Sequence, residues 1–187
     1  MASRQERVRA LGIIGSPRRG GNTEILVDEA LAGAAEAGAS IDKVFLNDLD
    51  IAPCQACDAC RETRVCAQQD DMQAVVEKMR GGTVFVFGTP VYWYGPTAQF
   101  KAFMDRWYGI GKEPFRGKRV LLVMPLGDVA HVARHAVGMI TDSLTWAEAE
   151  LVETILAPGA YDLGEVRQFS DVLAAARRAG RKAAETR

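Results

Sequence analysis

The chain lacks an excess of either charge, long apolar runs and internal repeats. Its 187 residues include 23 Lys and Arg against 24 Asp and Glu, and the net charge of -1 offers nucleic acid no electrostatic footprint. No apolar run approaches a membrane span, and residues 11–14, behind Arg4, Arg7 and Arg9, are too few for the core of a signal peptide. No linker or low-complexity stretch divides the sequence. We therefore expect one domain over residues 1–187, with neither nucleic acid nor a membrane as partner.

Cysteine is scarce too, and its placement is the most informative feature of the chain. All four cysteines, Cys54, Cys57, Cys60 and Cys66, fall within thirteen consecutive positions. The first three have the C-x2-C-x2-C spacing of bacterial ferredoxins, so a short loop can reach three corners of a 4Fe-4S cluster while Cys66 closes the fourth. A single zinc ion is the competing interpretation, although zinc sites more often use two separated C-x2-C pairs, and redox-active or idle thiols are a third. Free thiols without an export signal favour a reducing compartment, so we expect the protein in the cytoplasm.

Strand and helix patterns alternate along the whole chain. Apolar strand patterns occupy residues 8–14, 43–46, 83–87, 119–124 and 151–156. Helical patterns occupy residues 23–37, 70–81, a stretch opened by Pro96, about 129–147, and 165–184. Asp70 followed by Gln73 predicts a capping box for the second of these helices. Alternation of this kind predicts an α/β fold with a doubly wound, five-stranded parallel sheet, and a cysteine-bearing loop (about 50–69) inserted after strand 2.

Ligands of such sheets bind beyond the carboxyl ends of the strands, where three loops are expected. The first, residues 15–23, is rich in groups suited to an anion: Ser16, Arg18, Gly21, Asn22 and Thr23. It has neither the Lys-Ser/Thr pair of a P-loop nor the G-x-G-x-x-G of a dinucleotide site. The loop therefore predicts a terminal monophosphate rather than a triphosphate or pyrophosphate. The alternative is a plain turn and helix cap.

The second loop, residues 88–96, places three consecutive aromatic residues between glycines and prolines. Three such rings cannot all enter the core, so we expect some to face a ligand, a partner subunit or solvent. A flat aromatic and backbone surface beside a phosphate site suits a planar ring such as isoalloxazine, whereas the alternative is that the rings pack beneath the loop. The candidate ring-binding residues are Pro90, Val91, Tyr92, Trp93, Tyr94 and Gly95. Leu126 and Gly127, in the third loop (125–128), are less specific candidates.

Together these segments resemble the iron-sulfur flavoproteins of the NADPH-dependent FMN reductase group, which have flavodoxin-like folds. The resemblance covers about residues 8–125. It rests on Gly15-Ser16-Pro17-Arg18 with Asn22-Thr23, on Pro53 and the four cysteines followed by Asp70-Asp71-Met72, on Pro90-Val91-Tyr92-Trp93, and on the helix from Lys101 to Arg106. It implies FMN held by the first two loops, a 4Fe-4S cluster on the four cysteines, and a homodimer or homotetramer in which the two centres exchange electrons.

The function expected from this resemblance is that of an FMN-dependent electron-transfer oxidoreductase. Electrons would pass between NAD(P)H or ferredoxin, the flavin, the cluster and a small acceptor. Hydride transfer to a flavin needs no acid or base from the protein, so no catalytic residue is predicted. Two alternatives stay open: a cluster-free NAD(P)H-dependent FMN or quinone reductase, and a non-catalytic flavin or metal sensor.

Three other groups of residues are predicted to have structural roles. His131 and His135 share a helical face at i, i+4 but have no evident third metal ligand, so we expect a structural or loop-adjacent role. Asp105-Arg106 is expected to be an ion pair on a helix surface or at a subunit contact. The basic residues 177–182 are expected to be a solvated helix end that complements the helix dipole.

Overall fold

A computed structural model describes residues 8–185, in which five strands form one sheet. Residues 1–7, which include Arg4 and Arg7, and residues 186–187 lie outside the described part. The strand order is β2-β1-β3-β4-β5, and every neighbouring pair is parallel. This is the flavodoxin-like order, and it confirms the predicted fold class. The strands are β1 Arg9–Ile14, β2 Ser40–Phe45, β3 Val84–Gly88, β4 Arg119–Leu126 and β5 Glu150–Pro158.

Helices cover both faces of the sheet. They are α1 Asn22–Glu36, α2 Cys60–Thr63, α3 Met72–Gly81, α4 Ala98–Asp105, α5 Trp107–Ile110, α6 Arg134–Trp146 and α7 Ser170–Ala184. Separate 3-10 turns at Ala130–Ala133 and Glu165–Gln168 precede α6 and α7, where the sequence predicted continuous helices. Within residues 8–185, no helix combines the length and the apolar character needed to cross a membrane.

The core consists of two apolar layers separated by the sheet, and β3 contributes to both. Phe85 and Phe87 are fully buried on the face covered by α3, α4, α5 and α6, with their rings stacked at 5.7 Å. Val84 and Val86 are fully buried on the face covered by α1 and α7. Strand β3 is therefore buried on both faces, as its nearly continuous apolar pattern favours.

Helices α1 and α7 cross almost backbone to backbone. A Cβ atom on Gly33 would lie 1.9 Å from the Arg177 carbonyl oxygen, and one on Gly180 would lie 1.8 Å from the Ala30 carbonyl oxygen. Only glycine permits this approach. The close contact also brings Arg177 within 2.8 Å of Glu29, and both Arg177 and Arg181 pair with Glu36. Half of the C-terminal basic cluster thus binds α1, and the prediction of a merely solvated helix end is wrong in that respect.

The two side-chain bonds of the predicted capping box form, but Asp70 lies one residue before the N-cap of α3, Asp71, which makes no side-chain cap bond. The Asp70 carboxylate accepts a hydrogen bond from Met72 N at 3.1 Å, and Gln73 Oε1 accepts one from Asp70 N at 3.1 Å. The first of these bonds satisfies a donor that the first turn of α3 leaves without an intrahelical partner.

The predicted surface ion pair between Asp105 and Arg106 does not form. Asp105 does lie on the surface, paired with Lys101 one turn earlier, but the Arg106 side chain is only 1% exposed. Its guanidinium binds both carboxylate oxygens of Asp70, whose side chain is 7% exposed, and donates to the Ala52 carbonyl at 2.9 Å. The helix turns inward here because α4 ends at Asp105 and α5 begins at Trp107. Arg106 therefore joins the two ends of the cysteine-bearing segment.

The same break turns Tyr108 away from the apolar face of α4 and α5. Phe100, Phe103, Met104 and Trp107 are buried, whereas Tyr108 is 48% exposed. Its hydroxyl donates to the Asp58 carboxylate at 3.1 Å. Tyr108 thus contacts the cysteine-bearing segment instead of the core.

The buried ion pair predicts a large effect of Asp70→Asn on stability. The free energy of unfolding should fall by about 3–5 kcal/mol, because the substitution leaves the Arg106 charge buried without its carboxylate. Burial alone would raise the pKa of Asp70, but the Arg106 guanidinium and the N–H groups of Met72 and Ala52 lower it. A lowered folded-state pKa stabilises the protein at neutral pH, and this stabilisation is lost as the pH falls through that pKa. The difference between variant and wild type should therefore shrink in acid.

Asp105→Asn is the matched control, because it breaks an exposed i, i+4 pair one residue before Arg106. It should lower stability by only about 0.3–0.5 kcal/mol. Urea unfolding followed by tryptophan fluorescence measures both variants at pH 7 and at a pH below 3.8, the ordinary pKa of the Asp70 carboxyl. Equal effects of the two substitutions would contradict the structural role given to the buried pair.

Candidate functional site

A cleft of about 660 Å³ opens beyond the carboxyl ends of the strands, where strand order reverses between β1 and β3. The three predicted loops meet there, together with a fourth loop after β5. The cleft is lined by Ser16, Arg18, Asn22, Thr23, Pro90, Val91, Tyr92, Trp93, Tyr94, Pro125, Leu126, Gly127, Asp128, Val132, Ala160 and Tyr161. Of the predicted residues, Gly21 and Gly95 belong to the same loops but not to the wall. Val132, Ala160 and Tyr161 were missed, and the only available signal for the last two was their position just after a predicted strand.

The first loop is held in place by hydrogen bonds to its neighbours. Gly15 N donates to the Gly88 carbonyl at 2.7 Å, which ties the end of β1 to the end of β3. The buried Thr97 hydroxyl donates to the Gly15 carbonyl at 2.6 Å and accepts from Phe100 N at 3.2 Å, so the cap of α4 also anchors this loop. A Cβ atom on Gly15 would lie 2.8 Å from Phe100 Cβ. The position of the loop is therefore set by close packing as well as by hydrogen bonds.

The start of α1 forms the polar end of the cleft. Gly21 is the N-cap and provides no side chain, so no cap residue occupies the first N–H groups of α1. Ser16 is 3% exposed, and its hydroxyl accepts from Arg18 N at 3.1 Å. The exposed Arg18 guanidinium donates to the Tyr161 carbonyl at 3.3 Å. Uncapped N–H groups at the N-terminus of a helix, with an arginine beside them, form a site suited to an anion.

The Asn22 side chain forms its hydrogen bonds with other parts of the chain. Its amide nitrogen donates to the carbonyls of Ala160 at 3.1 Å and Asp162 at 2.8 Å, and its oxygen accepts from Val166 N at 3.1 Å. Asn22 therefore joins the first loop to the loop after β5, which places Tyr161 on the cleft wall. Its contribution is to position the site, and the anion-binding groups next to it are backbone N–H groups and the Arg18 guanidinium.

The aromatic loop is a tight turn with a strained backbone. Tyr92 and Gly95 exchange two backbone hydrogen bonds, of 2.9 and 3.0 Å. Trp93 and Tyr94 between them have φ angles of +48° and +65°, values that such turns normally assign to Asn and Gly. Tyr92, Trp93 and Tyr94 are 44%, 94% and 50% exposed, so the alternative in which they pack beneath the loop is wrong. Strain held at exposed aromatic residues is typical of a binding site.

Tyr94 packs against α6, the helix that follows β4. Its ring meets the His135 ring edge-on, with centroids 6.5 Å apart, and lies 5.6 Å from the Arg134 guanidinium. His131 lies in the preceding 3-10 turn. His135 thus has the loop-adjacent role expected from the sequence.

The four cysteines line one small cavity at a different place in the fold. Cys60 is buried, Cys66 is half-buried, and Cys54 and Cys57 are exposed; all four are free thiols. The backbone here is irregular, with positive φ angles at Ala56, Asp58 and Arg64. Arg106 and Tyr108 complete the wall, and a Cβ atom on Gly109 would lie 3.4 Å from Cys60 Sγ. The structure therefore brings together the four residues predicted as metal ligands.

The four thiols equal in number the ligands of a 4Fe-4S cluster, and they do not form a site for one ion. Within residues 8–185, no three His, Cys, Asp or Glu side chains are close enough to hold one metal ion. Zinc at about 2.3 Å from each sulfur would need the sulfurs within roughly 4 Å of one another. The cavity that the four cysteines line has a volume of about 20 Å³, room for little more than one water.

The cleft and the thiol cavity share no wall residue. The cleft is formed by the loops after β1, β3, β4 and β5, whereas the cysteines follow β2. Each site can therefore be altered without removing a side chain that lines the other.

Comparison with known proteins shows which families this chain is similar to. The sequence pattern of the NADPH-dependent FMN reductase family matches residues 8–157. An iron-sulfur flavoprotein of Methanosarcina thermophila is 44% identical over 95 residues, which are 51% of this chain and 50% of that protein. An iron-sulfur flavoprotein of Methanocaldococcus jannaschii is 40% identical over 99 residues, 53% of this chain and 51% of that protein. The family match reaches β5, further than the resemblance expected over residues 8–125.

Solved structures extend the comparison to almost the whole chain. An NAD(P)H:quinone oxidoreductase from Methanothermobacter marburgensis superposes with a TM-score of 0.73 at 18% identity, covering 94% of this chain and 98% of that one. Likeness at this level of identity shows the fold alone. The chain spans about half the length of the two iron-sulfur flavoproteins it matches.

Proposed function

Because the chain belongs to the NADPH-dependent FMN reductase family, we propose that it is an FMN-dependent oxidoreductase with a 4Fe-4S cluster on its four cysteines. It would pass electrons between NAD(P)H or ferredoxin and a small acceptor. The single observation that carries the proposal is the cleft at the switch point of the sheet, which combines an anion site at one end with exposed aromatic residues at the other. Bound FMN would supply hydride uptake from a nicotinamide and release of electrons in one- or two-electron steps.

The polar end of the cleft would hold the terminal phosphate of FMN. The N-terminus of α1 offers backbone N–H groups without a side-chain cap, and Ser16, Arg18 and Thr23 stand beside it on the wall. A monophosphate needs only this one anion site. Both phosphate-loop patterns for longer phosphate chains are missing from residues 15–23.

The aromatic end would hold the isoalloxazine ring. Residues 90–95 supply one wall, and Leu126, Gly127 and Tyr161 supply others. A Cβ atom on Gly127 would lie 2.6 Å from the Tyr161 ring, so the tyrosine packs directly over that backbone. The protein's contribution to the reaction is then to position the ring and to limit the access of water to it. No side chain needs to exchange a proton.

A cluster on the cysteine segment would supply one-electron transfer to and from the flavin. Within one chain its site and the cleft have no wall residue in common, and two of its thiols face solvent. A second copy of the chain would shield the exposed cysteines and bring one copy's cluster towards the other's flavin. We therefore include a homodimer or homotetramer in the proposal.

The phosphate site predicts that FMN binds more tightly than riboflavin. Arg18→Ala should weaken FMN binding about tenfold and leave riboflavin binding unchanged, because a charge-assisted hydrogen bond contributes about 1.5–3 kcal/mol. Asn22→Ala should weaken both ligands, because it releases the loop that carries Tyr161. Fluorescence titration measures both affinities, and Arg178→Ala, at an exposed arginine of α7, is the control. Equal affinity of the wild type for FMN and riboflavin would contradict the phosphate site.

The cysteine segment predicts paired loss of iron and sulfide. Replacing any one of Cys54, Cys57, Cys60 or Cys66 by Ser should lower iron and acid-labile sulfide together, because a hydroxyl replaces a soft thiolate ligand, while FMN content is kept. Thr63→Ala, in the same segment, is the control. Iron, sulfide and flavin are counted on protein purified without oxygen.

Each alternative to the cluster gives a different count in that experiment. Wild-type protein with one zinc and no sulfide would support the zinc site. Wild-type protein with FMN, no metal and NAD(P)H-dependent turnover would support the cluster-free reductase, which the small size of the thiol cavity favours.

The proposed assembly predicts a mass well above that of one chain. FMN-loaded protein at micromolar concentration should scatter light as a dimer or tetramer of the 20.3 kDa chain. Trp93→Ser should shift the population towards smaller species, because this indole is 94% exposed and offers the largest uncovered apolar surface beside the cleft. Tyr161→Ser, at a tyrosine 71% exposed on the opposite wall, is the comparison. A flavin-loaded 20.3 kDa monomer would refute the assembly.

A further inference from the structure

Two buried donors beside the cysteine segment lack acceptors. Within residues 8–185, Arg106 Nε and Trp107 Nε1 are the buried side-chain nitrogens without a hydrogen-bond partner. Buried N–H groups are nearly always paired, so an unpaired one on a charged, 1% exposed side chain calls for an explanation. The flavin cleft does not account for Arg106, because that residue is not on its wall.

The other nitrogens of Arg106 are fixed. One terminal nitrogen binds Asp70 and the Ala52 carbonyl, and the other binds the second oxygen of Asp70 at 3.1 Å. A guanidinium held at both terminal nitrogens cannot rotate to satisfy its Nε–H elsewhere. That donor is therefore kept in one place by bonds to residues on either side of the four cysteines.

The thiol cavity offers the acceptor. Arg106 lines this cavity together with all four cysteines. Cys66 is half-buried on this wall, and the Nε of Arg106 has no hydrogen-bond partner among the described residues.

We propose that Arg106 is a positioning residue for the metal centre on the four cysteines. It holds both ends of the cysteine segment through Ala52 and Asp70. Once the centre is bound, Arg106 provides its Nε–H and its positive charge to the Cys66 thiolate. The inference rests on the proposed 4Fe-4S cluster. One-electron reduction of a cluster ligated by four thiolates adds one negative charge to an already negative group. A buried cation and an N–H donor at a ligating sulfur favour the reduced form and so raise the reduction potential.

The test is a redox titration, under nitrogen, of the full-length protein carrying its cluster and FMN. Iron, sulfide and FMN are measured on the same samples. Arg106→Lys keeps a positive charge that can pair with Asp70 but has no Nε–H. It should retain the cluster and shift the reduction equilibrium about tenfold towards the oxidised form, which is a potential lower by about 59 mV for one electron. Arg106→Gln, combined with Asp70→Asn to avoid an unpaired buried carboxylate, removes the Nε–H together with a cation and its paired anion. It should therefore shift the equilibrium in the same direction and to a similar extent.

Lys101→Gln is the matched control, because it removes an exposed cation of α4 and should leave the potential unchanged. Loss of iron and sulfide from Arg106→Lys with full FMN and an unchanged melting temperature would also support the clamp. Full clusters with wild-type potentials in both Arg106 variants would overturn the inference alone and leave the proposed function standing. Wild-type protein without acid-labile sulfide would overturn the cluster, and this inference with it.

Discussion

The parallel direction of all five strands is the constraint on which both candidate sites depend. Because every strand points the same way, the loops after β1, β3, β4 and β5 leave the sheet at one edge and can form a single cleft. Residues 16 and 161, far apart in the chain, become walls of one cavity for this reason. The segment after β2 leaves from the edge strand of the same sheet, and there it has room to form the irregular cysteine loop.

The two sites are held by different physical means. The cleft is fixed mainly by backbone contacts: Gly15 to Gly88, the Thr97 cap to Gly15, and the turn closed by Tyr92 and Gly95. The cysteine loop has few such contacts and follows a path with three positive φ angles. One buried side chain, Arg106, binds both of its ends. A cleft with a preformed backbone suits a ligand that enters and leaves, whereas a loop held at its ends could adjust around the metal centre proposed for it.

Strain and exposure coincide at the aromatic turn. Trp93 and Tyr94 adopt positive φ angles that cost free energy for bulky residues, and Trp93 gains almost no burial in return. Within the described chain Tyr94 packs edge-on against His135, whereas the Trp93 indole stays exposed. A planar ligand in the cleft and a second copy of the chain are the contacts that would compensate for it, and the proposed function supplies both.

The sequence by itself determined the strand and helix alternation, the gathering of groups suited to an anion in residues 15–23 and the thiol set, because each depends on residues close together in the chain. Only the tertiary structure decided the role of Arg106, which looks like a surface residue beside Asp105 but meets Asp70, 36 positions away, in the core. The tertiary structure likewise decided that the Asn22 amide donates to carbonyls 138 and 140 positions away, and that Tyr161 lines the cleft. The physical reason is that burial and hydrogen-bond partners are set by which elements pack together, and local spacing carries no record of that packing.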